Sequence, residues 1–209
     1  MEQKLDFKKE YRDLYQPGPA PALVEVPPIP YLMVDGQGAP DGQAYQNTIE
    51  LLYAVSMTIK MSKMNGTQPA GYFEYVVPPL EGLWDCGPQG FAPDRESWRW
   101  TSMIRQPEFV TQEVVRQAVD RVRQKHPDFQ LERIRLGVYE EGLCVQAMHL
   151  GPYTTEQETI DKITAFVQEN ALSDMCGAAR RHHEIYLSDP RRVPPERLKT
   201  VLRHPVSRK

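Results

Sequence analysis

Among the residues able to do chemistry, the most ordered set lies in Arg181-His182-His183-Glu184-Ile185-Tyr186-Leu187-Ser188-Asp189-Pro190. The alternation predicts a strand. His183, Ile185 and Leu187 recur at period two, and His182, Glu184, Tyr186 and Ser188 fall on the other face. The first face belongs against an apolar core. Burying an ionised carboxylate without compensation is expensive, so Glu184 must meet water, a cavity or a partner. A carboxylate and a phenol side by side on one strand can floor a binding site. The competing reading is an ordinary solvated strand face, where most charged strand residues lie.

Other reactive residues are dispersed. Cys86, Cys144 and Cys176 are odd in number, far apart and without CxxC spacing, so they read as free thiols. Cys144, between Leu143 and Val145, reads as an inert buried thiol. Histidines stand at 126, 149, 182, 183 and 204. His182 and His183 point to opposite faces of a strand and cannot easily hold one ion. His149 reads as satisfying a turn, and Asp189-Pro190-Arg191-Arg192 as a strand-ending turn. No metal and no cofactor is expected.

The 209 residues suit one domain or two packed halves. A formal net charge of −3, with no basic stripe outside the C-terminal tail, leaves no footprint for nucleic acid. No window approaches the run of about 18 apolar residues needed to cross a bilayer. The charged start MEQKLDFKKEYRDLY lacks a signal core, and a cytoplasmic location is expected.

The elements that must position these residues follow in order. Residues 1–22 read as a charged arm and a Pro-rich linker, and 23–209 as the domain. Leu23–Val26 and Tyr31–Val34, around Pro27-Pro28, predict two paired strands. Gln43–Lys60 predicts a helix burying Ile49, Leu52, Tyr53, Met57 and Ile59. Tyr72–Val77 and Ser97–Ile104 read as strands, with Trp98 and Trp100 sharing a face. Thr111 caps a second amphipathic helix, which stops before Pro127. Ile134–Tyr139 and Leu143–Leu150 flank Glu140-Glu141-Gly142 as a hairpin. Thr154 or Thr155 caps a third helix running to about 169, and the residues after Pro194 read as a tail packed on the body.

Hairpin, Gly-containing turn, helix, loop and strand occur twice, at about 23–110 and 130–209. Two such halves side by side give an α+β fold with helices on one side of a curved sheet and a trough on the other. A trough between halves is a common ligand site.

Several motifs in fixed order then resemble a known family. Leu80-Glu-Gly-Leu-Trp84, Trp98-Arg-Trp100 with Met103-Ile-Arg-Gln-Pro107, Glu141-Gly-Leu-Cys-Val-Gln146 through His149-Leu-Gly-Pro-Tyr153, His182–Pro190 and Leu198–Arg203 resemble the stand-alone GyrI-like small-molecule-binding proteins. The resemblance implies two pseudo-symmetric repeats of GyrI-like/SHS2 type around an antiparallel sheet. It also implies a late-strand carboxylate, here Glu184, that receives flat and often cationic lipophilic compounds among aromatic rings. The 22-residue leader is too short for the helix-turn-helix that some members carry. Some stand-alone members resemble hydrolases that open the strained cyclopropane of planar alkylating toxins. Asp85 stands where a second aromatic residue after Trp84 is expected, which makes that rim more polar.

For that chemistry Glu184 is the expected base toward water and Tyr186 the expected donor to the carbonyl on which charge develops. Trp84, Trp98 and Trp100, with Met103, Tyr139 and Tyr153, are the expected lining. A binder that sequesters planar lipophilic cations without turnover is the alternative.

Overall fold

The computed structural model describes residues 4–85, 91–177 and 180–209. The chain runs α1 (Phe7–Glu10), α2 (Arg12–Tyr15), β1 (Ala22–Val26), β2 (Ile29–Gln37), α3 (Gln43–Lys60), β3 (Leu80–Trp84), β4 (Arg99–Arg105), α4 (Gln112–Lys125), β5 (Arg135–Tyr139), β6 (Gly142–Leu150), α5 (Glu156–Glu169), β7 (Leu172–Asp174), β8 (His182–Tyr186) and β9 (Lys199–Arg208). The strands form one antiparallel sheet of order β1-β6-β9-β8-β3-β4-β2-β5, with β7 added on β9. From the two edges inward, β1-β6-β9-β8 matches β5-β2-β4-β3, which places a pseudo-twofold axis between β8 and β3.

The two expected hairpins do not form. β1 pairs with β6, Val26 opposite Gly142, and β5 pairs with β2, Tyr139 opposite Ile29. Each half thus lends its edge strand to the other. In the strand order β1 and β2 stand six positions apart, about 29 Å in a flat sheet. Residues 26 to 29 can span only about 11 Å. The sheet must therefore curl until its edges approach each other at Pro27-Pro28 and Glu140-Glu141.

Curling makes an inner face, and that face is filled. Tyr31, Leu83, Met103, Cys144, Ile185 and Val201 point inward and bury against Phe7, Leu14, Tyr15 and Tyr75. Residues 1–22, expected as an arm and linker, thus supply core side chains. Phe7 and Tyr11 lie under the Arg105 guanidinium, at 4.6 and 4.0 Å from their ring centres. Residues 72–77, expected as a strand, cross the inner face outside the ladder, joined to Leu5 only by a bridge at Tyr75. The expected C-terminal tail is instead β9, a ten-residue strand lying between β6 and β8.

The outer face carries the helices. α3 and α4 cover Leu32, Val34, Leu80 and Ile104, and α5 covers Val145, Ala147 and Leu202. On α3 the buried residues Tyr45, Thr48, Leu52, Val55 and Ile59 step by three or four, the spacing of one helical face. Met57, expected on that face, is exposed. Thr111 caps α4 by accepting the Val114 N–H. Thr155 does not cap α5; its hydroxyl donates to the Pro152 carbonyl. Because α3 packs on β2 and β4 while α5 packs on β6 and β9, the central pair β8–β3 lies between the two helical layers. That strip, rather than the filled inner face, is the candidate cleft.

Candidate active site

Register sets the floor of the cleft. Glu184 lies opposite Gly82 and His182 opposite Trp84, while Trp84 lies opposite Trp100. Period two then puts His182, Glu184, Tyr186, Trp84 and Trp100 on the outer face. Trp84 Nε1 donates to the Tyr186 hydroxyl at 3.0 Å. Tyr45 descends from α3 between the indoles, with ring centroids 5.4 Å from Trp84 and 5.0 Å edge-on from Trp100. Its hydroxyl is 3.5 Å from that of Tyr186. Trp100 lies flat on Gly36 of β2, where a Cβ would fall 2.1 Å from the ring. Trp98 stands edge-on to Trp84 at 6.0 Å and meets Phe91 in a tilted contact at 4.9 Å. From the α5 side Tyr153 meets Tyr186 edge-on at 6.0 Å.

Glu184 is 8% exposed, so this carboxylate is not on a solvated face. His182 Nε2 lies 3.2 Å from its Oε1. A second carboxyl faces it: Glu156, in the first turn of α5, has its Oε1 buried without a partner. Burial, then the charge of Glu184, holds the Glu156 carboxyl well above the usual carboxylate range, which keeps its proton on at neutral pH. Burial also pushes the Tyr186 phenol far up, with Glu184 and Tyr45 adding to it. Tyr186 is therefore a donor at any working pH. Burial, then Glu156 and Glu184, push Tyr153 to about 12.

Of the residues expected from sequence, Glu184, Tyr186, Trp84, Trp98, Trp100 and Tyr153 come together here. Met103 and Tyr139 do not. Met103 is one step out of phase with Trp100 and points into the inner core. Tyr139 ends edge strand β5 and packs against that same core. Asp85 is exposed at the rim, 3.7 Å from the Arg181 guanidinium.

Tyr45, Phe91, Glu156 and His204 were not anticipated. Tyr45 belongs to the three-and-four spacing of α3. An acid in a first helical turn reads as a partner for the helix dipole, which conceals Glu156. Cys176 is in a disulfide, a correction to the free-thiol reading; separation along the chain does not limit approach in space. Cys86 lies outside the described residues. Cys144 is free and buried, and burial followed by the charge of Glu141 pushes its thiol far up.

His183 faces inward as alternation required, yet its company there is charged rather than apolar. Its Nδ1 is 2.9 Å from Glu141 Oε2 and its Nε2 3.0 Å from Glu81 Oε2. Tyr15 and Tyr31 donate to Glu81. Arg203 binds Glu141 at 2.9 Å and donates to the Leu14 carbonyl. Burial opposes charge on His183, but Glu141 and Glu81 hold it up to about 9. Two carboxylates, one guanidinium and one imidazolium thus balance in the core and tie the N-terminal helices to the sheet.

With this geometry in place, residues 19–207 match the GyrI-like small molecule binding domain. The crystal structure of an uncharacterized conserved protein from Listeria innocua superposes with a TM-score of 0.93 at 49% identity, covering 98% of this chain and 100% of that one. A hydrolase from Listeria innocua superposes with a TM-score of 0.90 at 48% identity and the same coverage. The C-terminal domain of EcmrR shares the fold, with a TM-score of 0.54 at 13% identity over 90% of this chain and 98% of that one. No curated protein matches. Among the described residues no helix is long and apolar enough to cross a membrane. Matched along nearly its whole length, and half identical to a protein it covers completely, the chain belongs to the GyrI-like small-molecule-binding family.

Proposed function

We propose that the cleft binds flat lipophilic electrophiles and hydrolyses them without a cofactor, opening a cyclopropane conjugated to a carbonyl. The observation that carries this reading is a nearly buried Glu184 beside the protonated Tyr186, whose side chain meets Tyr45, Trp84 and Tyr153. Likeness to Listeria innocua proteins described as hydrolases supports it.

Stacking would hold the planar ligand by area burial of about 25 cal/mol per Å². Glu184 takes a proton from water as the water oxygen bonds to a cyclopropane carbon. The strained C–C bond breaks, and its electron pair moves through the conjugated system onto the carbonyl oxygen. Tyr186 gives that oxygen a proton and recovers one from Glu184, so charge and protons balance. General-base help is worth about 10²–10⁴-fold, and relief of ring strain lets so modest a factor suffice.

Two carboxyl groups in an aromatic cleft also favour a second reading, sequestration of planar lipophilic cations. Single-turnover assay with a cyclopropane-bearing alkylator separates the two. Conversion by wild type, with Glu184→Gln binding equally but converting at least 100-fold more slowly, supports hydrolysis; tight binding without conversion by wild type supports sequestration.

A further inference from the structure

A row of four side chains runs from the cleft to the surface. His182 Nε2 faces Glu184 Oε1 at 3.2 Å, His182 Nδ1 meets His204 Nε2 at 2.9 Å, and His204 Nδ1 meets Asp174 Oδ2 at 3.0 Å. Both imidazoles are buried. The Asp174 side chain, at the end of β7, is 34% exposed.

Hydrogen-bond polarity couples the tautomers of the two rings. The Asp174 carboxylate only accepts, so His204 donates from Nδ1. With its Nε2 free of a proton, His204 accepts there, and His182 donates from its own Nδ1. That leaves a bare lone pair on His182 Nε2. The atom is buried and faces a carboxylate oxygen at 3.2 Å. Burial holds the His182 imidazole below its ordinary range despite the Glu184 contact, which keeps it neutral at rest.

We propose that Asp174 and His204 are positioning residues for Glu184: through His182 they keep an open nitrogen lone pair against the carboxylate, which shares the proton that Glu184 takes up. This rests on the hydrolase reading only where turnover is concerned. When Glu184 removes a proton from water, that proton sits between Glu184 Oε1 and His182 Nε2. If it passes to Nε2, the Nδ1 proton of His182 can shift to His204 Nε2, placing the positive charge beside Asp174. Each contact then still holds one proton. Reversal of the two shifts returns a proton to Glu184 and on to Tyr186, so nothing is lost to solvent and no ring must turn. Asp174, Cys176 and His204 stand close enough to suggest a metal site, but the Cys176 sulfur is in a disulfide and offers no thiolate.

The groups facing Glu184 are His182 and Tyr186 of its own strand, Glu156 of α5, Tyr45 of α3 and Tyr153. His182 also feels His204 and His183 and the edge of Phe91.

Asp174→Asn tests the proposal. The Cys176 N–H binds Asp174 Oδ1 and would retain the amide oxygen, turning the amide NH2 toward His204. Both imidazoles would then invert, and His182 would present Nε2–H to Glu184. Ring-nitrogen NMR on histidine-labelled protein is expected to show Nδ1–H on His182 and His204 in wild type and Nε2–H on both in Asp174→Asn. A donor facing the carboxylate favours its charged form, so the pH at which affinity for a flat cationic dye is half lost should fall by on the order of one pH unit in Asp174→Asn. Asp174→Glu should restore the wild-type midpoint. Single-turnover ring opening should slow roughly ten-fold in Asp174→Asn, a fraction of what a general base is worth in full. Nε2–H on His182 in wild type, or an unmoved midpoint with inverted tautomers, overturns the proposal. A wild type that converts no cyclopropane removes the hydrolase reading alone, because tautomers and dye titration need no turnover.

Discussion

Trp84 reaches across the bare backbone of Gly82 to donate its indole N–H to the Tyr186 hydroxyl at 3.0 Å. One lone pair of the phenol is thereby occupied, and its proton is directed toward Glu184 and the cleft. Trp84→Phe keeps most of the buried area and removes the donor. The expected loss in stability is about 1 kcal/mol, the net worth of one buried hydrogen bond, measured by urea unfolding. Ring opening should fall further than dye binding does, because the freed phenol no longer holds one orientation.

Glu156 and Glu184 divide one negative charge between two carboxyl groups. Because Glu156 is held above its ordinary value of 4.5 by burial and then by Glu184, the folded protein binds that proton more tightly than the unfolded chain. Its contribution to stability is full below pH 4.5 and is lost as pH rises through the raised value. Glu156→Gln is therefore expected to match wild type near pH 4 and to exceed it at pH 8, the gap widening by about 1.4 kcal/mol for every pH unit over which the folded protein alone keeps the proton. Urea unfolding of both proteins across that range measures it. Dye affinity at pH 7 should change little in Glu156→Gln and drop strongly in Glu184→Gln.

Much of this cleft was legible in the alternation of residues 182–187, since period two alone separates Glu184 and Tyr186 from Ile185. The company of His183 was not legible. Glu141 and Glu81 stand 42 and 102 residues away from it, and no local pattern announces so distant a charge balance. Pro27-Pro28 and Glu140-Glu141-Gly142 do mark chain breaks, but a break cannot say whether the next strand turns back or crosses to the other half. Residues 199–208 hid a central strand because Arg203, His204 and Pro205 interrupt the apolar run, and the segment read as a tail packed on the body. Arg203 is instead neutralised by Glu141, and Pro205 occupies one ladder position opposite Cys144. The side of the sheet that bears the cleft followed from register, which only the paired strands reveal.

The inner charge cluster gives the fold an alkaline weakness. His183 is held up to about 9 against the opposition of burial, by Glu141 and Glu81, from an ordinary value of 6.5. A raised imidazole contributes stability that is complete below pH 6.5 and is lost as pH climbs through 9, an effect on the order of 3 kcal/mol. Glu141, held down to about 2 by His183 and Arg203 in spite of burial, works at the other end. Its contribution is present above pH 4.5 and disappears as pH falls toward 2. Urea midpoints measured from pH 3 to pH 9.5 should fall on both sides, and His183→Gln should flatten the alkaline limb while lowering the plateau.

Gly82 separates an effect on the cleft from an effect on the fold. A methyl group there would sit 2.8 Å from Trp84 Nε1, closer than such a contact allows, and a tight 3.1 Å from the Tyr186 hydroxyl. Gly82 has no left-handed backbone requirement, as its φ is not positive, so the substitution acts through the side chain alone. Gly82→Ala must push the indole and the phenol apart, and overpacking of this kind costs about 1–3 kcal/mol. Ring opening is expected to fall at least as far as in Trp84→Phe, since both the hydrogen bond and the position of Tyr186 change. The inner cluster is on the far face of the sheet, so the pH dependence of stability in Gly82→Ala should keep the wild-type shape, displaced downward by a constant amount. A changed alkaline limb in that variant would mean that the two faces of β3 are coupled through the strand, and that the roles assigned separately to Glu81 and Trp84 are not independent.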